Sequence, residues 1–345
     1  MKIVGCDLHT RYQQIAMLDA ETGELVERRL EHESGEARAF YAGLAGRVRV
    51  GIEATGHTRW FERMLGELGH ELWIGDAARI RAAMVRKQKT DARDAAHVLE
   101  LLLSDRFPRI WRPSLEERDL RQLVWHRQKL VWMRNAVGNQ LHALAMGEGV
   151  CRKKKLFTKK GRVELEGLKL GRWASHRRQE LLRMLDQLDA SRKELDQAVA
   201  EQAEQNPAAV LLMTHPGVGP VTSLAFVLTL GPVQRFERSK QVVSYLGLNP
   251  REHSSGGRQR LGTISKQGNP MMRSLLVEAG HTAARLDAEL RQDYQRLKLR
   301  RGSGVAKVAI ARKLAVRMYW MLRSPASYAQ LVRMQGSPRG TLVGP

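Results

Sequence analysis

The first hundred residues alternate short apolar runs with helix-spaced stretches, and two of the apolar runs end on a carboxylate. No other feature limits the fold as much. "KIVGCDL" (2–8) reads as a strand in which Ile3, Gly5 and Asp7 share one face, because successive side chains alternate. "QQIAMLD" (13–19) reads as a second strand, and the "ETGE" turn followed by "LVERRLEH" (25–32) completes a meander. "GEARAFYAGLAG" (35–46) has helical spacing, and "VRVGIEAT" (48–55) is a strand ending at Glu53. "TRWFERMLGELG" (58–69) is a helix closed by Gly69, and "HELWIGD" (70–76) is a further strand. The order β-β-β-α-β-α-β-α predicts a mixed sheet covered by helices.

"KTDARDAAHVLELL" (89–102) places Asp91 and Asp94 on one face at the start of a helix. Two readings stand. Acidic residues in a first helical turn face the positive end of the helix dipole, and Asp91 could be a simple N-cap. Alternatively the topology gathers Asp7, Glu53, Asp91 and Asp94. Four carboxylates brought together would repel and raise one another's pKa, a conflict that hard divalent cations with oxygen ligands resolve. Two such ions about 3.5–4 Å apart clamp the attacking and leaving oxygens of a phosphodiester displacement.

Pro108 and Pro113 mark a boundary. Beyond it Leu123, Leu130, Val137 and Leu144 recur every seven residues, as do Leu181, Leu188 and Leu195. An antiparallel helical hairpin fits, with the basic stretch "CRKKKLFTKKGR" (151–162) at its tip; the leucines serve either an ordinary bundle core or self-association. In "HPGVGPVTSLAFVLTLG" (215–231) a Pro-Gly-x-Gly turn leads into an apolar helix, as a plain helix start or as a phosphate-facing N-terminus. A loop rich in Gly, Ser and basic residues (247–270) precedes the helices "MMRSLLVEAGHTAARL" (271–286) and "GVAKVAIARKLAVRMYWML" (304–322). The expected division is 1–110, 111–205 and 206–330, with a loose tail over 331–345.

The net charge is +22, and it is unevenly spread. Residues 1–110 hold 17 basic and 17 acidic residues, so the remainder carries the whole excess. A polyanion is the expected partner, and the C-terminal two-thirds should hold most of it. Two cysteines, Cys6 and Cys151, make neither a disulfide framework nor a zinc site, which points to a reducing, cytoplasmic compartment. No apolar run approaches the roughly 20 residues that span a bilayer, so no membrane partner is expected.

"VGCDLHT", "GIEATG" and "KTDARDA", taken with "HPGVGPVTS", "YLGLNP", "SSGG" and "ISKQGNP", resemble the insertion-sequence one-ten transposases, also called DEDD transposases or bridge-RNA-guided recombinases. The resemblance covers roughly 1–105 and 206–325; the helical hairpin between matches in character more than in sequence. It implies an α/β plus α architecture. A RuvC-like domain of RNase H fold comes first, then an antiparallel coiled-coil hairpin, then a mostly helical C-terminal transposase domain. It maps the Asp-Glu-Asp-Asp quartet onto Asp7, Glu53, Asp91 and Asp94, with Mg²⁺, two ions per site, as cofactor. It also implies a serine nucleophile that attacks the DNA phosphate and becomes transiently linked to it. Alignment from "GLNP" to "SG" gives Ser255, with Ser254 adjacent. The loop is about a residue shorter than the family pattern after Gly256, which affects the placement of Arg258 and Arg260.

Around that serine, Arg251, Arg258, Arg260 and Lys266 would stabilise charge developing on the phosphate, and His253 is a possible proton acceptor. Lys153, Lys154 and Lys155 in the connector would contact nucleic-acid phosphates, which positions without specifying sequence. Trp125 and Trp132 either stack on bases or pack in a core or interface. The implied partners are donor and target DNA, a structured noncoding guide RNA that reads sequence by pairing, and further copies of the chain, as a dimer and then a tetramer. The implied setting is the bacterial cytoplasm, at the nucleoid. A metal-dependent nuclease or Holliday-junction resolvase, with water as nucleophile, is the alternative enzyme, and a nucleic-acid-binding protein with a decayed site is the non-enzymatic one.

Overall fold

The computed structural model describes residues 1–84, 90–152, 155–254, 258 and 260–336. The chain divides into two compact units, Met1–Arg112 and Pro113–Pro345.

The first unit is built on a five-stranded mixed sheet. Its strands are β1 (Lys2–Leu8), β2 (Tyr12–Asp19), β3 (Leu25–Glu31), β4 (Val48–Glu53) and β5 (Glu71–Gly75), in the order β3-β2-β1-β4-β5. β2 pairs antiparallel with both β1 and β3, while β1, β4 and β5 run parallel. The helices are α1 (Glu36–Ala42), α2 (Arg59–Glu67), α3 (Ala77–Ala82) and α4 (Asp91–Leu103). The sequence expectations for strand and helix order hold here, since each strand alternates cleanly enough to feed two faces.

One face carries Val4, Cys6, Ile15, Val50 and Ile52, packed with Tyr41, Phe61 and Leu65 from α1 and α2. The other carries Ile3 and Ala16 and packs with Ile80 of α3 and with Ala95, Val98, Leu99 and Leu102 of α4. Gly5 and Gly51 lie opposite one another on this second face. They have no side chain because none would fit. A Cβ on Gly5 would stand 2.2 Å from the Ala95 carbonyl oxygen and 2.3 Å from the Leu99 nitrogen. One on Gly51 would meet Leu102 at 2.7 Å. α4 therefore lies directly on the backbone of β1, with its N-terminus towards the end of the strand that holds Asp7.

In the second unit, α5 (Leu115–Gly147) and α7 (Arg172–Glu204) form the expected hairpin, with α6 (Lys159–Glu166) between them. Ser114 and Glu117 start α5 with a reciprocal capping box. Arg134 meets Asp189 and Arg127 meets Asp196, both at 2.7 Å, so position rises on one helix as it falls on the other and the pair is antiparallel. The heptad positions Leu130, Val137 and Leu181 are buried within the chain. The connector is more than a charged tip. Leu156 and Leu165 are fully buried with Val137, Leu141, Leu181 and Leu185 in a separate small core. Arg178 closes it by donating to the Leu165 and Leu168 carbonyls at 3.1 and 2.9 Å.

The rest comprises α8 (Pro207–Met213), α9 (Pro220–Leu230), a 3₁₀ turn at Val233–Arg235, α10 (Ser239–Tyr245), α11 (Pro270–Leu286), α12 (Ala288–Arg301), α13 (Ser303–Arg323) and α14 (Tyr328–Gly336). A two-stranded hairpin, β6 (Pro250–Glu252) and β7 (Leu261–Ile264), interrupts them. Val124, Val199 and Ala203 of the long helices share one core with Leu224, Phe226, Met272, Leu314 and Tyr319. The segments expected as separate parts, 111–205 and 206–330, thus belong to one compact unit, because the open end of the helical hairpin has no core of its own. The loose tail expected from 331 is corrected over residues 331–336: they continue α14, anchored by buried Leu331.

The turn at His215–Gly219 serves packing. Gly217 sits against α11, where a Cβ would lie 2.5 Å from the Ala283 nitrogen. His215 is 1 % exposed, its Nδ1 is 2.9 Å from the Pro216 carbonyl, and its ring lies 4.5 Å from that of Tyr328. Burial holds its pKa down to about 4.

Gly5→Ala should lower stability by about 1–3 kcal/mol, read as a reduced urea midpoint, because α4 has to move off β1. Unfolding carries His215 from a folded pKa of about 4 to the ordinary value of 6.5, so the unfolded chain binds the extra proton and stability rises with pH across that window. Urea titrations should show stability falling by about 1.4 kcal/mol per pH unit on acidification from 6.5 towards 4, and His215→Gln should remove that component.

Candidate active site

Asp7 is the penultimate residue of β1 and Glu53 the last of β4. The parallel register pairs Cys6 with Ile52, so the two carboxylates follow side by side on the face that α4 covers. Asp91 and Asp94 occupy the first turn of α4. The capping role belongs to Thr90, whose side chain accepts the Arg93 N–H at 3.4 Å, and Asp91 is left to face the sheet.

Asp7 and Asp91 converge. With His9 they offer three donor atoms within 4.8 Å of one another. His9 Nε2 lies 3.0 Å from Asp7 Oδ2 and 3.4 Å from Asp91 Oδ2. The Tyr12 hydroxyl donates to Asp91 Oδ2 at 2.9 Å, and the His9 ring stacks on Tyr12 at 4.6 Å. The Asp7 carboxyl is held above its ordinary value chiefly by burial; His9 opposes that, while Asp94 and Asp91 add repulsion. Glu53 stands further out, with Arg81 at 3.6 Å from its Oε1. Carboxylates of Asp7 and Asp91 drawn together around one imidazole, the first of them partly desolvated, suit a hard divalent cation. Among the described residues, Asp7, His9 and Asp91 are the groups whose donor atoms lie close enough to share one.

Of the basic residues expected at the second unit's site, those described are exposed. Arg251, Arg258, Arg260 and Lys266 lie on or beside the β6–β7 hairpin, and Lys155 lies in the connector. Ser255, Lys153 and Lys154 fall outside the described residues. The neck of the hairpin is closely built. A Cβ on Gly247 would come within 2.1 Å of the Gln267 carbonyl oxygen, and one on Gly268 within 2.2 Å of the Tyr245 carbonyl oxygen. Both glycines have left-handed backbone, as does Lys266 at φ 58°. "YLGLNP" and "ISKQGNP" therefore clamp each other. Ser254 donates to Glu252 Oε1 at 2.6 Å and accepts the Arg260 N–H at 3.1 Å. Glu252 is thus bound to Ser254, whereas His253 pairs through its backbone with Arg260.

His9, Tyr12 and Glu252 are the residues that sequence reasoning missed. His9 was visible as a ligand type two positions after Asp7. Tyr12 was not, because only the β1–β2 turn brings it back over Asp91.

Carboxylates at two adjacent strand ends and on a helix start, with a strongly basic second unit, define the class of cation-assisted phosphoryl-transfer enzymes on nucleic acid. Comparison with known families agrees. A model described as "Transposase", the DEDD type of IS110, matches residues 4–147, and "Transposase IS116/IS110/IS902 family" matches 209–295. The chain is 28% identical over 336 residues to a probable family 20 transposase of Pseudomonas aeruginosa, covering 93% of this chain and 96% of that one. It is 27% identical to the transposase for insertion sequence element IS1111A of Coxiella burnetii, covering 95% and 91%. A shorter match, 36% over 74 residues, joins it to a pilin gene-inverting protein of Moraxella bovis, covering 21% and 23%. The chain belongs to this insertion-sequence transposase family, whose members cut and rejoin DNA. Among the described residues no helix is long and apolar enough to cross a membrane.

The raised pKa of Asp7 has a direction to test. A carboxyl whose folded pKa exceeds its unfolded one costs stability as pH rises from the ordinary carboxylate range, because folding then disfavours its ionised form. Without divalent cations, Asp7→Asn should melt higher than the wild type at neutral pH, and the gap should close on acidification. Added Mg²⁺ or Mn²⁺ should raise the melting temperature of the wild type and leave Asp7→Asn unmoved, as read by thermal-shift scans.

Proposed function

We propose that the chain recombines the DNA of an insertion sequence by serine-mediated strand cleavage and rejoining, with the carboxylate quartet as its cation site. The convergence of Asp7 and Asp91 under the start of α4 carries this reading. The strand order, with two antiparallel and two parallel pairings, supports an RNase H-like, RuvC-type first domain. Asp7, Asp91 and Asp94 would hold the cations, with Glu53, which faces Arg81, as the fourth carboxylate, Mg²⁺ being the natural choice for an all-oxygen set that works on phosphates. Bound cations supply charge neutralisation at the phosphate and favour the ionised nucleophile.

Ser255 is the nucleophile. Its oxygen bonds to phosphorus, the bond from phosphorus to one sugar oxygen breaks, and that oxygen takes up a proton. The serine's own proton leaves towards a carboxylate or solvent, with Glu252 the candidate acceptor on the hairpin. Ser254, tied to Glu252 and Arg260, shapes the loop. Arg251, Arg258, Arg260 and Lys266 meet the phosphate's charge, and Lys153, Lys154 and Lys155 extend the backbone-binding surface. A structured guide RNA supplies sequence choice, consistent with a basic surface and the lack of a base-reading motif in the sequence. Assembly as a dimer, then a tetramer on two duplexes, completes the reading.

The test is a plasmid carrying the gene and its flanking DNA. The wild type should leave a denaturation-resistant protein–DNA adduct, and Ser255→Ala should leave none, with recombinant product down on the order of a thousandfold or more. Cleavage that persists in Ser255→Ala identifies water as nucleophile and the nuclease alternative. Sequencing of co-purified RNA should return one discrete species matching the flanks; its absence removes the guide but not the strand transfer.

A further inference from the structure

The second unit holds a cavity that the strand-transfer reading does not use. About 250 Å³ in volume, it opens between α5, α9 and α10, and the start of α11 closes one side. Arg121 and Trp125 of α5, Leu228 of α9, Tyr245 of α10 and Asn269 at the cap of α11 line it. Trp125 and Tyr245 are 44% and 41% exposed, although rings of this size ordinarily seek cover. Arg121 is fixed in the wall: its Nε donates to the Leu228 carbonyl at 2.9 Å, so its charge is held in place at the cavity. Arg235 lies over the Tyr245 ring at 4.6 Å and adds a second guanidinium beside it.

Three observations decide the occupant. The volume lies below the roughly 300–1,000 Å³ of sites for drug-sized ligands, which leaves room for a flat group of one or two rings. Partly exposed aromatic rings beside guanidinium groups are the means by which proteins hold unpaired bases without reading them. The cavity also sits at the neck of the β6–β7 hairpin: Gly268 and Asn269 end the segment that carries Arg251, Arg258, Arg260 and Lys266, and Gly268 packs on the carbonyl of Tyr245. A strand whose phosphates follow those exposed cations brings its bases to this opening.

We propose that this cavity receives an unpaired base of single-stranded DNA, with Trp125 and Tyr245 as its stacking surfaces. The site goes beyond the strand-transfer reading and needs only that the chain binds DNA. A base parked here would hold a displaced strand open beside the hairpin.

The experiment measures binding of the full chain to fluorescein-labelled oligothymidine by anisotropy. Oligouridine is run in parallel, and light scattering follows the oligomeric state. Trp125→Ala should weaken oligothymidine binding by roughly 5- to 150-fold. Trp125→Phe should keep most of the affinity, which separates stacking from loss of fold. Trp132→Ala is the control, since Trp132 is comparably exposed at 39% on the same helix but does not line the cavity. With 5-iodouracil in the oligonucleotide, photo-crosslinks should map to Trp125 or Tyr245. Equal affinities for Trp125→Ala and Trp132→Ala overturn the proposal. So does a loss confined to oligouridine, which assigns the cavity to RNA, or a change of oligomeric state at unchanged affinity, which assigns it to a second copy. Because no reaction is scored, a failure of Ser255 chemistry would leave this result untouched.

Discussion

The contact of α4 with the bare backbone of β1 is the constraint on which the rest of the first unit depends. At Gly5 the helix comes as close as main chain allows, and at Gly51 Leu102 fills the space a side chain would take. A side chain on Gly5 would push the helix off the sheet and carry Asp91 and Asp94 away from Asp7. The same closeness excludes water from one side of Asp7, which raises the energy of its charged form and makes it responsive to a cation. Fold and site chemistry therefore share one cause. His9 and Tyr12 are what the carboxylates lean on meanwhile: an imidazole that bridges Asp7 and Asp91, and a phenol that donates to Asp91.

The second unit solves a different problem, that of keeping two long helices paired and a short hairpin presented. The long helices are held at one end by the large helical core and at the other by the small core around Leu156 and Leu165, with Arg127–Asp196 and Arg134–Asp189 between. Ion pairs at a half-exposed seam add little stability individually, but they fix register where leucines alone permit slippage. The β6–β7 hairpin is fixed at its neck, where the backbones of 247 and 267 and of 245 and 268 touch. The motifs that flank the serines thus have a structural reason for their glycines.

Much of the first unit was legible because its signals are local. Strand alternation, the turn residues and helix spacing gave β1 to β5 and the helices in order, and alternation alone put Ile3, Gly5 and Asp7 on one face. The meeting of Asp7 with Asp91 was legible only as a possibility, since nothing near Asp91 in the sequence states which strand its helix crosses. The cap at Thr90 was missed because aspartate and threonine are both good caps and one residue apart. Tyr12 was missed because its partner Asp91 lies 79 residues away, and His9 because its bridge from Asp7 to Asp91 exists only once α4 is packed on β1. The hairpin helices were legible from their heptads, but the small core at its tip was hidden by the lysines around Leu156, and the shared core at its base depends on helices nearly 200 residues later.

The most direct measurement is a crystal of the full chain soaked in Mn²⁺ and read by anomalous scattering. The account predicts a peak bound by the oxygens of Asp7 and Asp91 at roughly 2.0–2.6 Å, with Asp94 turned towards it and His9 displaced or recruited as a ligand. A map at saturating Mn²⁺ that shows no peak there, with His9 still bridging the two aspartates, would contradict it.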